Sequence, residues 1–203
     1  MSLFRQLLMQ SNQETYTTLN YIQGQGQQYL DLGYYPTLNT SVEYDVMSAS
    51  EQTVYEFGTS KGWLDNVYGN FLYYWDWPHW YMSNSFSFCT LTERKPKYNV
   101  RYSVKFSKSG LVIDNYLLTP KETFNPTVAF NNPYPMYLFV QNSGVTPTEC
   151  STVRFYFFKI FENDVLVKHL VPAKRNSDNS IGMLDILSNV FYENKGSGTF
   201  LYA

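Results

Sequence analysis

The stretch that most constrains this chain runs from Thr152 to Phe200, TVRFYFFKIFENDVLVKHLVPAKRNSDNSIGMLDILSNVFYENKGSGTF. From Val153 to Phe161 nearly every residue is apolar or aromatic, which reads as a strand with both faces expecting burial. Glu162-Asn163-Asp164 supplies a polar turn, and Val165 to Val171 returns as the partner strand. Pro172 has no N–H to donate and is expected to stop the ladder there. Arg175 to Ser180 is then a polar loop and Ile181 to Asp185 a short strand, with Gly196-Ser197-Gly198 as the last turn before Thr199-Phe200-Leu201. Strands joined by tight turns specify an all-β layer structure.

The remaining chain repeats that grammar. Tyr21 to Pro36 gives two short strands around Gly24-Gln25-Gly26, and Val42, Tyr44 and Val46 alternate with Glu43 and Asp45 as a half-buried strand. Thr53 to Gly58 is another. The clearest period of two sets Val100, Tyr102, Val104 and Phe106 against Asn99, Arg101, Ser103 and Lys105. Ser107-Lys108-Ser109-Gly110 turns that strand back into Leu111-Val112-Ile113, with Asp114-Asn115 at the next corner. Phe124 to Pro135 is loop-rich, Tyr137 to Val140 resumes as a strand, and Asn142 to Glu149 is a polar loop. No repeat, low-complexity tract or linker divides residues 17–203, which read as one domain. Residues 1–16 read as a separate arm for attachment or oligomerisation, or as a frayed terminus. Leu3, Phe4, Leu7 and Leu8 fall at helical spacing, and Phe4, Leu7 and Leu8 would do the docking.

Composition narrows the partners. Aromatics make up 19% of the 203 residues and charged residues only 16%, which suits strands and argues against disorder. The formal net charge is −2 and no basic run occurs, so a groove tracking nucleic-acid phosphates is not expected. No apolar stretch is long enough to cross a bilayer, and MSLFRQLLMQSNQ has no small-residue cleavage site, so neither a membrane span nor a secretory signal is read. Cys89 and Cys150 lack metal-ligand spacing; they read as two reduced thiols, with a disulfide between them as the alternative.

Four segments carry a resemblance: Tyr21 to Pro36, Phe158 to Arg175, Ser177 to Asp185 and Phe191 to Phe200. Together they resemble the two ends of a concanavalin A-like, laminin-G-type jelly-roll domain of the kind found in proteins of gut bacteria and their phages. The resemblance implies an all-β, two-sheet antiparallel jelly-roll sandwich with its first and last strands close together. Function follows from it less directly, because that family serves as sugar-binding modules, adhesion modules and virion parts alike. The leading expectation is a non-catalytic structural or adhesive virion protein of a tailed phage: a capsid decoration, head-fibre or tail-fibre module. It would sit on the particle surface as a homo-oligomer, against other virion subunits or cell-surface glycans. The alternative is a carbohydrate-binding module on a bacterial surface or a secreted protein, and a glycoside hydrolase is the outsider.

Candidate chemistry is sparse. Jelly-roll glucanases carry acids alternating on one strand face, and Glu43 and Asp45 share a face in that way, but Met47 and Ser48 stand where a further glutamate would be needed. The two histidines, His79 and His169, have no nucleophile pattern beside them. Calcium occurs in some laminin-G-type domains; Asp114-Asn115 or Asp178-Asn179 could contribute, but ordinary turn chemistry is the preferred reading, and no cofactor or metal is expected. The strongest candidate is KGWLDNVYGNFLYYWDWPHWYM, which holds all four tryptophans. Trp63, Tyr73, Tyr74, Trp75, Asp76, Trp77, His79, Trp80 and Tyr81 would form a carbohydrate- or partner-binding surface, since flat rings stack on the C–H faces of sugars while polar groups bond their hydroxyls. Rings that fill the core or cover a sheet edge are the competing reading.

Overall fold

The computed structural model describes residues 14–49, 54–61, 67–72, 79–82, 87–89, 97–114, 116–118, 132–147 and 150–203. In chain order the strands are β1 (Tyr16–Thr18), β2 (Ile22–Gln23), β3 (Leu30–Asp31), β4 (Thr40–Ser48), β5 (Val54–Thr59) and β6 (Tyr68–Leu72). There follow β7 (His79–Met82), β8 (Ser87–Cys89), β9 (Tyr102–Ser107), β10 (Gly110–Ile113), β11 (Tyr116–Leu118) and β12 (Tyr137–Leu138). The chain closes with β13 (Gln141–Asn142), β14 (Val153–Glu162), β15 (Val165–Arg175), β16 (Ile181–Asp185), β17 (Val190–Glu193) and β18 (Leu201–Tyr202). No helix occurs among the described residues.

These strands form two sheets. Sheet A runs β11-β10-β9-β4-β14-β15-β16-β17, with β1 on β15 and β2 between β14 and β18; sheet B runs β3-β12-β5-β6-β7-β8, with β13 parallel to β5. The last strand lies beside the second, since Tyr202 of β18 pairs with Ile22 of β2 and the Asn20 N–H donates to the Ala203 carbonyl, while β1 pairs with β15. The sheets meet through aromatic rings. Tyr44 and Phe57 sit with centroids 5.2 Å apart, Phe57 and Phe158 5.1 Å, and Tyr68 and Phe106 5.5 Å, each pair joining one sheet to the other. Those residues belong to a single buried cluster with Ile22, Leu30, Val104, Ile160, Leu170 and Met183. This is an arrangement compatible with a β-sandwich.

Several expectations meet the coordinates directly. β4 alternates buried Val42, Tyr44 and Val46 with half-buried Glu43 and Asp45. Asn163 and Asp164 form a two-residue hairpin loop with φ of 50° and 63°, the type I′ geometry that matches strand twist. The expected strand around Thr53 to Gly58 is β5. Elsewhere the structure corrects the reading. β14 buries one face only: a bulge between Phe155 and Phe157 turns both Tyr156 and Phe157 outward, and the outer face is half-buried.

Pro172 does not end β15. Its carbonyl accepts the Leu19 N–H on the β1 side, and a residue's N and O point the same way in a strand, so no N–H is wanted toward β16. Tyr137 to Val140 is not one strand either, because Phe139 takes φ of 71° between β12 and β13. The two strands of Tyr21 to Pro36 separate, β2 joining sheet A and β3 sheet B.

Candidate functional site

The expected aromatic platform lies mostly outside the described residues. Trp63, Tyr73, Tyr74, Trp75, Asp76 and Trp77 fall there, as do Phe4, Leu7 and Leu8 of the arm. His79, Trp80 and Tyr81 form the backbone of β7, where Phe71 pairs with His79, Asn70 with Trp80 and Gly69 with Tyr81. Cys89 stands in β8, and Cys150 is a buried free thiol that burial pushes up to about 11.

The described residues assemble a different surface on the outer face of sheet A. Strand register places Lys105, Glu43, Lys159 and His169 side by side across β9, β4, β14 and β15. The Glu43 carboxylate lies 3.4 Å from the Lys105 ammonium and 3.3 Å from that of Lys159. Two residues along β4, Asp45 accepts two hydrogen bonds from the Arg101 guanidinium, at 2.8 and 2.5 Å. That guanidinium lies 4.0 Å from the Tyr156 ring centre, which meets Tyr21 edge-on, and Arg154 covers Tyr21 in turn. Burial, then the Lys159 charge, lower the His169 pKa, against opposing pulls from Asp185 and Glu43. Glu43 and Asp45 therefore do share a face, as their spacing requires, with their oxygens taken by three cations.

At the end of this row a depression of about 400 Å³ opens between β4, β9, β10 and the β14–β15 hairpin. Val112 and Phe161 are its apolar lining, and Ser41, Ser107, Ser109, Glu43 and Lys105 supply polar groups. The hairpin wall is held by Glu162, whose carboxylate accepts hydrogen bonds from Tyr34 (2.8 Å), Thr37 (2.6 Å) and Thr40 (2.9 Å). Burial pushes that carboxyl up, but the hydroxyl donors and the nearby Lys108 outweigh it and the net shift is downward. A hexose-sized ring needs one apolar patch and several hydroxyl partners, and this depression offers both.

A second depression, about 440 Å³ and more polar, lies beside the loop of residues 194–198. Its groups are used internally. Arg175 ties Asp178 (2.6 Å) to Glu193 (3.1 Å), and Asn194 accepts the Gly196 N–H and donates to the Gly198 carbonyl. The expected turn chemistry holds at Asp178, which accepts the Ser180 N–H; at the other corner Asp114 takes φ of 48° and accepts the Ser103 N–H across the hairpin, and Asn115 lies outside the described residues. Among the described residues no group of three His, Cys, Asp or Glu could hold a metal ion.

Sequence reasoning missed Lys105, Lys159 and Phe161 as site residues and Glu56 as a buried acid. The first three lie on two strands, Lys105 on β9 and Lys159 and Phe161 on β14, and only the pairing of both strands with β4 brings them together. Glu56 was hidden by its own strand: strict alternation sets it opposite Phe57, but a bulge between Tyr55 and Phe57 turns both inward.

The fold and this surface define a two-sheet β protein with a paired-charge outer face and an adjoining amphipathic depression. Comparison with protein-family models, with curated proteins and with solved structures finds no match to the chain.

Proposed function

We propose that this chain is a non-catalytic recognition module: a jelly roll of concanavalin A/laminin-G type with a structural or adhesive role on a tailed-phage particle. In this role it is a homo-oligomer packed against other virion subunits. The four resembling segments support the reading, and so does the all-β, two-sheet architecture they occupy. The observation that carries the non-catalytic part is the bracketing of Glu43 by Lys105 and Lys159, and of Asp45 by Arg101. Retaining hydrolysis wants two carboxyls about 5 Å apart across a bound glycosidic bond. Neighbouring carboxylates on one strand face, Glu43 turned to two lysines and Asp45 to an arginine, are not so arranged.

The depression lined by Val112 and Phe161 favours a second reading that is compatible with the first, in which the module also binds a carbohydrate. A glycan array separates the two, run with the purified chain beside Phe161→Ala and Trp75→Ala. Binding lost in Phe161→Ala assigns sugar recognition to the outer face of sheet A; binding lost in Trp75→Ala assigns it to the aromatic segment. No binding to any glycan leaves the structural role, which then requires the chain to co-purify with particles. A chain that neither binds glycans nor joins particles overturns both.

A further inference from the structure

The core holds a carboxylic acid that the proposed recognition role does not use. Glu56 is 4% exposed and stands on the β5 bulge, between the rings of the inter-sheet cluster. Among the described residues its carboxyl has one hydrogen-bond partner, the Tyr44 hydroxyl at 3.3 Å from Oε2. Its main-chain carbonyl accepts the Phe139 N–H at 2.7 Å, so the same residue ties β5 to the β12–β13 connection. Phe57, its neighbour on the bulge, packs against Tyr44 and Phe158 of sheet A.

Among the described residues, the titratable groups buried on the inner faces of β4 and β6 are two phenols: Tyr44, which bonds Glu56, and Tyr68, which donates to the Thr40 carbonyl. Leu138 of β12, which pairs with Phe57, and Phe155 and Phe158 of β14, whose rings pack on Tyr44, are buried and carry no charge. Across the ladder, Asn70 pairs with Phe57, fully buried with neither amide atom hydrogen-bonded. No positive charge among the described residues compensates an ionised Glu56, and a bare carboxylate in such a setting is strongly disfavoured.

We propose that Glu56 is a proton-operated lock between the two sheets. Neutral, it lets the β5 bulge lie against Tyr44 of β4; ionised, it drives the bulge toward water and loosens sheet B before sheet A. Burial pushes this carboxyl up to about 8 from a reference of 4.5, the Tyr44 hydrogen bond acting the other way. The folded chain therefore keeps a proton that the unfolded chain releases between those two values. Raising pH through that window favours unfolding; below it both states are protonated and above it both are ionised, so the dependence ends. Within the window the unfolding equilibrium constant rises about tenfold per pH unit from this one group.

The test uses the full chain, with ¹³C-labelled glutamate carboxyls titrated by NMR. Amide exchange is followed alongside at about pH 6 and about pH 9, corrected for intrinsic rates. One glutamate resonance is expected to titrate near the shifted value and to vanish in Glu56→Gln. The Phe139 and β5 amides should lose at least about tenfold in protection at the higher pH while those β14 amides that exchange without exposing Glu56 keep theirs, and Glu56→Gln should abolish that difference. Titration of Glu56 in the ordinary glutamate range, or equal loosening of both sheets, overturns the proposal. Should Glu56→Gln not fold, the titration and exchange of the unsubstituted chain decide it.

Discussion

The two sheets of this protein are built on different terms. Sheet A has long strands, nine residues in β4, ten in β14 and eleven in β15, and among the described residues its inner face is almost wholly apolar. Apart from Asp185, which is buried at the end of β16 and accepts hydrogen bonds from the His169 N–H, the Leu187 N–H and the Ser188 hydroxyl, its paired charges stand on the outer face. Sheet B is assembled from short pieces, six residues at most in β5, broken by a bulge and by the left-handed Phe139. Its buried residues include Glu56, Thr59, Asn70 and Asn142. Apolar burial is non-directional and tolerant of register, so it can carry the stability of a large regular sheet. Buried polar groups and close backbone approaches hold only one arrangement, and they gather where the short strands need specifying.

That contrast yields a graded set of substitutions. The largest effect is expected from Phe158→Ala, which empties a site touching Tyr44, Phe57 and Phe155 at once. A loss of about 3–5 kcal/mol in denaturant-measured stability is expected. A loss under about 1 kcal/mol would mean that the aromatic seam is not the main support. Next comes Gly69→Ala in sheet B. Gly58 and Gly69 face each other at φ of 146° and 156°, and a Cβ on Gly69 would meet the Phe57 carbonyl oxygen at 2.4 Å. Backbone is in the way, so about 2–4 kcal/mol is expected, from crowding and the unfavourable φ together. A neutral result would show that β5 and β6 can part at little cost.

Asn70→Leu should move the other way. It replaces an amide with no partner by an apolar side chain of similar size, and a gain of about 1 kcal/mol in thermal or urea unfolding is expected. A destabilised Asn70→Leu would mean that the amide holds something in place, and sheet B would then be more specific than its strand lengths suggest. The smallest effect belongs to Lys105→Ala, whose side chain is 61% exposed beside Glu43. Here about 0.5 kcal/mol or less is expected, shrinking further in high salt. A larger loss would make the outer row of sheet A structural.

How much of this was legible follows the same division. β4, β9, β14 and the Asn163-Asp164 turn were readable because alternation and turn chemistry are local. So was the shared face of Glu43 and Asp45. Pro172 misled because what matters is which side of a strand wants its N–H, and that depends on β1 lying where β14 has left off. Phe139 misled because a phenylalanine at φ of 71° has no propensity to announce it; the Glu56 carbonyl and the rings of Phe155 and Phe200 hold it there. Within the candidate site, Glu43 was visible as an acid on a strand face. Lys105 and Lys159 were not, since nothing in their own segments says which strands will stand beside β4.

The amino-acid sequence by itself determined the all-β class, most strand positions, and which residues of β4 and β9 turn inward, because periods of two and turn preferences are fixed within a few residues. Tertiary structure decided the rest: the neutralising of Glu43 and Asp45 by Lys105 of β9, Lys159 of β14 and Arg101 just before β9, the depression between β4, β9 and the hairpin, and the burial of Glu56. Each depends on pairing across many tens of residues or on a one-residue bulge. Such features arise only when strands choose partners, and a single extra residue in a ladder reverses which side chains meet the core.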